Sequence, residues 1–184
     1  MVDIKIIGLI GKARSGKDTI ADYITKHSIT YKKRAFADAL KEKAMKDFNL
    51  TYNQVYGDVE KEIIIDEWGK SPRQILQVMG TDWYRSINPN YWVDIWEKDI
   101  FGGHWGNKIV VPDVRFPNEI EAILRNKGKI IRVVRPNQTQ IENSNHISET
   151  ALDNFTAPNF EIVNDGTKEA LYTNIDTIIQ RMWE

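Results

Sequence analysis

Residues 4–24 read IKIIGLIGKARSGKDTIADYI, and their order decides the fold. Ile4 to Ile10 is a short β-branched and apolar run ending at Gly11, the pattern of a strand buried on both faces in a parallel sheet. From Asp18 onward Ile20, Ala21, Tyr23 and Ile24 fall at helical spacing, so the turn from Gly11 to Thr19 lies between a strand and a helix. Within it Gly11, Gly16 and Lys17 fit GxxxxGK. The glycines let the backbone curl until successive amides point at phosphate oxygens, the helix N-terminus adds its positive dipole end, and Lys17 adds a full charge. Gly11, Lys12, Ala13, Arg14, Ser15, Gly16, Lys17, Asp18 and Thr19 are thereby candidate contacts for a triphosphate. The position after the lysine normally carries Ser or Thr, whose hydroxyl ligates Mg²⁺; here it is Asp18, with Thr19 following. A carboxylate is a good hard ligand, and Asp18 can equally act through a bound water, so Asp18 and Thr19 stand together as metal candidates.

Downstream the chain alternates. YKKRAF (31–36) reads as a second strand, and the helix after it is expected to turn Ala39, Leu40, Ala44 and Phe48 inward. A helical stretch follows, from about 37 to 106. In it Ser71 and Pro72 have the chemistry of a helix start, Ile75, Leu76 and Met79 form an apolar face, and Arg73, Gln77 and Gly80 lie on another. KIVVP (108–112) is the third strand, and residues 116–127 an amphipathic helix with Ile120, Ile123 and Leu124 inward. Lys129–Val134 and Glu161–Val163 are the last strands. Residues 136–158 are polar without a strong period and read as a loop or lid; Leu171, Ile175, Ile178, Ile179 and Met182 mark a closing helix. The expectation is one α/β domain with a three-layer sandwich and a parallel sheet: a core of 1–36 and 107–184, a helical insert 37–106, and a lid 136–158.

Composition narrows the functions. A chain of 184 residues with a formal charge of -1 lacks the basic excess that a long phosphate polymer attracts, so stable nucleic-acid binding is not expected. Without cysteine there are no disulfides and no thiolate chemistry, and His27, His104 and His146 are too scattered for a zinc site. The N-terminal run lacks a basic region and cleavage site, and no segment approaches the roughly 20 apolar residues of a membrane span. A soluble, cytoplasmic protein is expected, in the host cytoplasm if the source is viral.

Asp113 follows an apolar strand, where parallel sheets hold their ligands, and reads either as a site acid or as a helix cap. Arg115, two residues on, faces the same crevice, and a guanidinium there can grip a phosphate through two parallel hydrogen bonds. Arg73 could do the same from the insert or be a solvated charge. Of Arg132 and Arg135, the latter stands at the strand end before the lid and is the better candidate. The six tryptophans, with Trp68, Trp83, Trp92 and Trp96 in the insert, read mostly as core, with one or two available to stack on a base. His146 reads as a surface residue more readily than as a catalyst. The lid stretch 137–158 contains no lysine or arginine. If phosphate chemistry occurs at the Gly11–Thr19 turn, its charge is expected to be met by Lys17, Arg14, Arg115 and Arg135 rather than from that stretch.

GKARSGKDTIADYI, FADALKE, RQILQVMGTDWYR with YWVDIW, VVPDVRFPNE, RVVRP, HISE and VNDGT occur in an order that resembles the bacteriophage deoxynucleoside monophosphate kinases, from about Ile4 to Leu171. The resemblance implies the P-loop fold of the nucleoside monophosphate kinase type, ATP with Mg²⁺, and deoxynucleoside monophosphate (dNMP) acceptors. It also implies that Gly11–Thr19 hold the donor triphosphate and that Arg73 and Arg115 hold the acceptor phosphate. Gly80, Thr81, Asp82 and Trp92 would shape the acceptor pocket, and Asn164, Asp165 and Gly166 would lie beside the adenine. Gln77 and His146 join the acceptor candidates. Animal-type phosphomevalonate kinases are similar in SGKD, the DxR segment and SETALDNF, but lack a counterpart of RQILQVMGTDWYR, and form the alternative. A regulatory GTPase would need an NKxD-like motif, which NDGT does not supply. A purely binding protein and a homodimer stay open.

Overall fold

The computed structural model describes residues 4–28, 30–136 and 147–183. Their elements run β1 (Lys5–Ile10), α1 (Lys17–His27), β2 (Lys32–Lys33), α2 (Asp38–Asp47), α3 (Tyr52–Tyr56), α4 (Pro72–Gln77), α5 (Tyr84–Ile87), α6 (Tyr91–Phe101), β3 (Lys108–Val111), α7 (Pro117–Arg125), β4 (Lys129–Val134), α8 (Ile147–Thr150), β5 (Phe160–Val163) and α9 (Lys168–Met182). The strands form one parallel sheet in the order β2-β3-β1-β4-β5. The chain divides into two compact units, Met1–Ala35 with Ile100–Glu184, and Phe36–Asp99.

In the first unit, strand alternation sorts the two faces of the sheet. Ile7 and Leu9 of β1, with Val110, Ile131, Val133 and Ile162, pack in one cluster with Ile20, Ala21 and Ile24 of α1 and Leu171, Ile175 and Met182 of α9. The other face of β1 meets α7. Gly8 permits the close approach there, since a Cβ at that position would lie 2.6 Å from Cδ1 of Ile123. Ile6, Ile7, Leu9 and Ile10 are at most 1% exposed, and each such side chain contributes about 1.5–3 kcal/mol by leaving water. That is why the first strand reads as an unbroken apolar run.

The second unit has its own core of Ala44, Leu50, Val55, Ile75, Leu76 and Met79. Ser71 closes a capping box with Gln74 and starts α4 as its sequence suggests. After Gln77 the helix widens into a π-helical turn, Val78–Trp83, in which the Tyr84 N–H reaches back five residues to the Met79 carbonyl.

Several expectations need correction. The second strand is only Lys32–Lys33: both side chains are exposed at the sheet edge, and after the Arg34 N–H bonds Val110 O at 3.0 Å the chain leaves the ladder. Of the inward positions expected on α2, only Ala44 is fully buried. Leu124 is 41% exposed because Glu119, Ile120, Ala122 and Ile123 take the covered face of α7, and Leu124 lies at its edge. Ile178 and Ile179 pack only partly against the core. Trp92 and Trp96 are buried, but Trp68 and Trp83 are 37% and 62% exposed. Aromatic content states how much area is available for burial, not which rings a neighbour covers. In the stretch expected as a lid, residues 147–150 form the one-turn helix α8, too short to show a period; His146 lies outside the described residues.

Candidate functional site

Strands β3, β1 and β4 lie side by side, so the segments leaving their carboxyl ends gather along one edge of the sheet, where open parallel sheets hold ligands. Gly11–Gly16 leaves β1. Gly16 adopts φ 111°, a left-handed conformation that L side chains rarely take, and a Cβ there would sit 2.5 Å from the Asn164 side-chain nitrogen. Glycine therefore serves twice, for conformation and for space. Asn164, at the end of β5, donates from Nδ2 to the Ser15 carbonyl at 2.8 Å and from its backbone N–H to Val134 O at 2.7 Å, tying the loop to the strand ends.

Lys17 opens α1 with its ammonium folded back over the loop, donating to the carbonyl oxygens of Gly11 at 2.7 Å and Lys12 at 2.8 Å. Burial pushes its pKa down from 10.5 to about 8, the nearby Arg115 charge adds to that, and Glu149, Asp18 and Asp113 oppose it. The buried Ser15 hydroxyl has no partner among the described residues. Lys17, Lys12, Arg115, Arg132 and Glu149 line a cleft of about 60 Å³ beside the loop.

Past β3, the turn carrying Asp113 and Arg115 is pinned by a residue that the sequence reading did not single out. Glu119 is 2% exposed, and its Oε2 accepts the backbone N–H of Arg115 at 2.7 Å and of Phe116 at 3.1 Å. A carboxylate at the third position of a helix after Phe-Pro is the signal that could have found it. The Arg115 guanidinium is thereby aimed into the cleft, where it pairs with Glu149 of α8. Lys12 Nζ donates to Glu149 O at 2.9 Å and pairs with Asp153. Glu149 and Asp153 are two more residues of the cleft that sequence reasoning did not select. Nothing local marks them, because their partners are 34 and 141 residues away.

The remaining candidates of this unit spread around the loop. Asp18 is exposed and Thr19 and Asp113 half-buried. Arg14 is exposed with φ 60°, and Arg135 reaches its carbonyl oxygen at 3.5 Å. Arg132, not Arg135, lines the cleft, and it donates to Phe155 O. Asp165 and Gly166 are exposed in the turn before α9.

In the second unit, Arg73 pairs with Glu62, Nε to Oε1 at 2.5 Å. Gln77 closes α4; Gly80, Thr81 and Asp82 fall in the π-helical turn, a feature frequent at functional positions. Trp92 is 3% exposed and donates from Nε1 to Gly80 O at 3.0 Å, with its ring edge-on to Tyr84 and Tyr91. So enclosed, it supports the turn rather than presenting a face.

Among the described residues there is no cluster of three or more His, Cys, Asp or Glu that could hold a metal, and no helix long and apolar enough to cross a membrane. A phosphate-bound Mg²⁺ needs only one or two protein oxygens beside water and phosphate oxygens. Asp18, Thr19 and Asp113 satisfy that requirement in kind, around a buried lysine and a buried unpaired hydroxyl.

Known proteins bear on this geometry. A putative deoxynucleotide monophosphate kinase of Acanthamoeba polyphaga mimivirus is 32% identical over 183 residues, covering 92% of this chain and 93% of that protein. The deoxynucleotide monophosphate kinase of Enterobacteria phage T4 is 31% identical over 121 residues, 64% of this chain and 48% of that protein. Among solved structures, shikimate kinase from Acinetobacter baumannii aligns over 99% of this chain and 96% of its own with a TM-score of 0.53 at 10% identity, a likeness of fold alone. The parallel sheet with its strand–loop–helix start has the P-loop fold of the nucleoside monophosphate kinase type. The profile of deoxynucleotide monophosphate kinases matches residues 45–175, which include the π-helical turn and the Asp113–Arg115 segment, and with the mimivirus relative it shows that the chain belongs to the deoxynucleotide monophosphate kinase family.

Proposed function

We propose that this chain transfers the γ-phosphoryl group of ATP to the phosphate of a dNMP, releasing ADP and a deoxynucleoside diphosphate for DNA synthesis. The observation that carries the reading is a buried lysine sharing one cleft with Arg115 at the carboxyl ends of β1 and β3. An acceptor phosphate already bears about -1.5 to -2 charge at neutral pH, so it needs no general base. The task is to hold two anionic groups together, which is positioning and positive charge.

Residues 11–19 cradle the donor triphosphate through loop amides and the α1 N-terminus, with Asn164, Asp165 and Gly166 beside its base. Lys17 exchanges the Gly11 and Lys12 carbonyls for phosphate oxygens. Arg115 grips the acceptor phosphate together with Arg73, and Arg14 and Arg135 meet charge on the transferring group. Gln77 and the Gly80–Asp82 turn, buttressed by Trp92, shape the acceptor side; His146 belongs to that group as well. Asp18 or Thr19 would hold Mg²⁺, with Asp113 nearby, and the ion when bound neutralises charge on the donor phosphates. In this reading residues 1–36 and 107–184 are the catalytic core, 37–106 the acceptor-binding insert and 136–158 the lid. The enzyme works in the cytoplasm, that of the host if the source is viral.

A coupled ADP-release assay with ATP and Mg²⁺ against all dNMPs, their ribonucleotide counterparts and mevalonate 5-phosphate tests this. ADP release that depends on dNMP, with deoxynucleotides preferred, is expected. Release with mevalonate 5-phosphate alone, or hydrolysis indifferent to any acceptor, would refute it.

A further inference from the structure

Helix α8 and the turn after it lay two carboxylates on two cations of the phosphate-loop cleft. Glu149 pairs with the Arg115 guanidinium, and Asp153 with the Lys12 ammonium. The Glu149 side chain is 20% exposed, so its pair is partly shielded from water. The stretch 137–158, without lysine or arginine, carries Glu142, Glu149 and Asp153. Of these, Glu149 and Asp153 bring acid, not base, to the carboxyl-end edge of the sheet. A carboxylate and a phosphate present the same paired oxygens to a guanidinium and compete for the same fork. Glu149 also raises the Lys17 pKa against burial and Arg115, so its charge is felt across the cleft.

We propose that Glu149 and Asp153 are phosphate placeholders: they neutralise Arg115 and Lys12 and are displaced by the phosphates of bound nucleotides, so that they set the affinity and the charge threshold of the site. A terminal phosphate, with its second ionisation near pH 6, carries about -1.5 to -2 and outcompetes a carboxylate at -1, whereas a singly charged diester or internal anhydride phosphate does not. The placeholders thus select terminal phosphates, the class that both substrates present. The inference rests on the phosphate-binding roles proposed above for Arg115 and Lys12.

Its test uses the sign of an affinity change. Calorimetric titration of the full chain with dTMP, ADP, thymidine and adenosine is compared for the wild type, Glu149→Gln and Asp153→Asn. Removing a competitor tightens phosphate binding by about fivefold, the worth of a partly exposed ion pair. Glu149→Gln therefore tightens dTMP and Asp153→Asn tightens ADP, while the two nucleosides, which have no phosphate, bind as before. A helix held in place for structural reasons alone would instead make every ligand weaker when its ion pair is cut. Unchanged or weaker nucleotide binding in variants that melt as the wild type does overturns the proposal. If Glu149→Gln does not fold, Asp153→Asn decides it on its own. If Glu149→Gln tightens ADP and leaves dTMP unchanged, the placeholder stands and the assignment of Arg115 to the acceptor falls instead.

Discussion

Replacing Lys17 with methionine separates what this side chain does for turnover from what its burial costs the fold. Lys17 is 8% exposed, and burial first, with Arg115 second, lowers its pKa from 10.5 to about 8. At neutral pH the folded and unfolded chains both hold the proton, and the folded state carries the full unfavourable contribution, about 3 kcal/mol at about 1.4 kcal/mol per pH unit. Between pH 8 and 10.5 the folded chain has released from Lys17 a proton that the unfolded chain keeps, so the unfavourable contribution of Lys17 to stability is relieved as pH rises across that window. Methionine has nothing to titrate. The unfolding free energy of the wild type minus that of Lys17→Met should therefore climb by about 3 kcal/mol from neutrality to pH 10.5, with other titrations cancelling in the difference. Urea unfolding followed by tryptophan fluorescence at stepped pH measures it, while the coupled ADP-release assay at neutral pH should find the mutant at background. A stability difference flat with pH would show that the ammonium is not desolvated, and a folded Lys17→Met with near wild-type turnover would remove Lys17 from the reaction centre.

Three further outcomes are expected. Arg115→Lys keeps the charge but loses the planar fork, so the KM for dNMP should rise much more than that for ATP; equal rises would move Arg115 between the substrates, and no change would leave it a surface ion pair. Arg14→Ala should lower kcat by about 10³ while ATP affinity weakens only modestly, and a kcat within a few fold of wild type in steady-state kinetics would rule out a role at the transferring group. Asn164→Ala removes the 2.8 Å bond to the Ser15 carbonyl and should cost about 1 kcal/mol of stability and raise the KM for ATP more than that for dNMP; thermal melts and kinetics together check it, and a change confined to the acceptor KM would contradict the placement of Asn164 at the donor loop.

What could be read from the sequence was what is local. The strand, loop and helix of residues 5–27 are consecutive, and each signal in them, apolar run, glycine, lysine and helical spacing, acts on its immediate neighbours. The Ser71 cap is legible for the same reason. Residues whose meaning depends on distant partners were not legible. Arg132 and Arg135 both follow from the β4 run, but which of them enters the cleft depends on strand alternation against α1 and α9, so Arg132 lines it while the terminal Arg135 turns to Arg14. Glu149 and Asp153 lie in a polar stretch whose single helical turn shows no period, and only the folded chain brings them to Arg115 and Lys12. YKKRAF reads as a strand throughout, yet Ala35 and Phe36 are buried without joining the ladder, because their burial comes from packing beyond the sheet edge.

The place of β1 in the middle of the sheet bears on how the protein comes to be made. Its neighbours pair Lys5 with Lys108 and Ile7 with Lys129, so β1 bonds only to strands synthesised about 100 or more residues later. At roughly 5–20 residues per second, this buried apolar strand waits on the order of 5–20 s without either partner. Such non-local, parallel pairing is intrinsically slow to form and exposed to aggregation while it forms. The unit Phe36–Asp99, complete before β3 emerges, is free to fold during that interval. Yield in a recombinant host should then respond to chaperone supply and growth temperature more than to the stability of the finished enzyme.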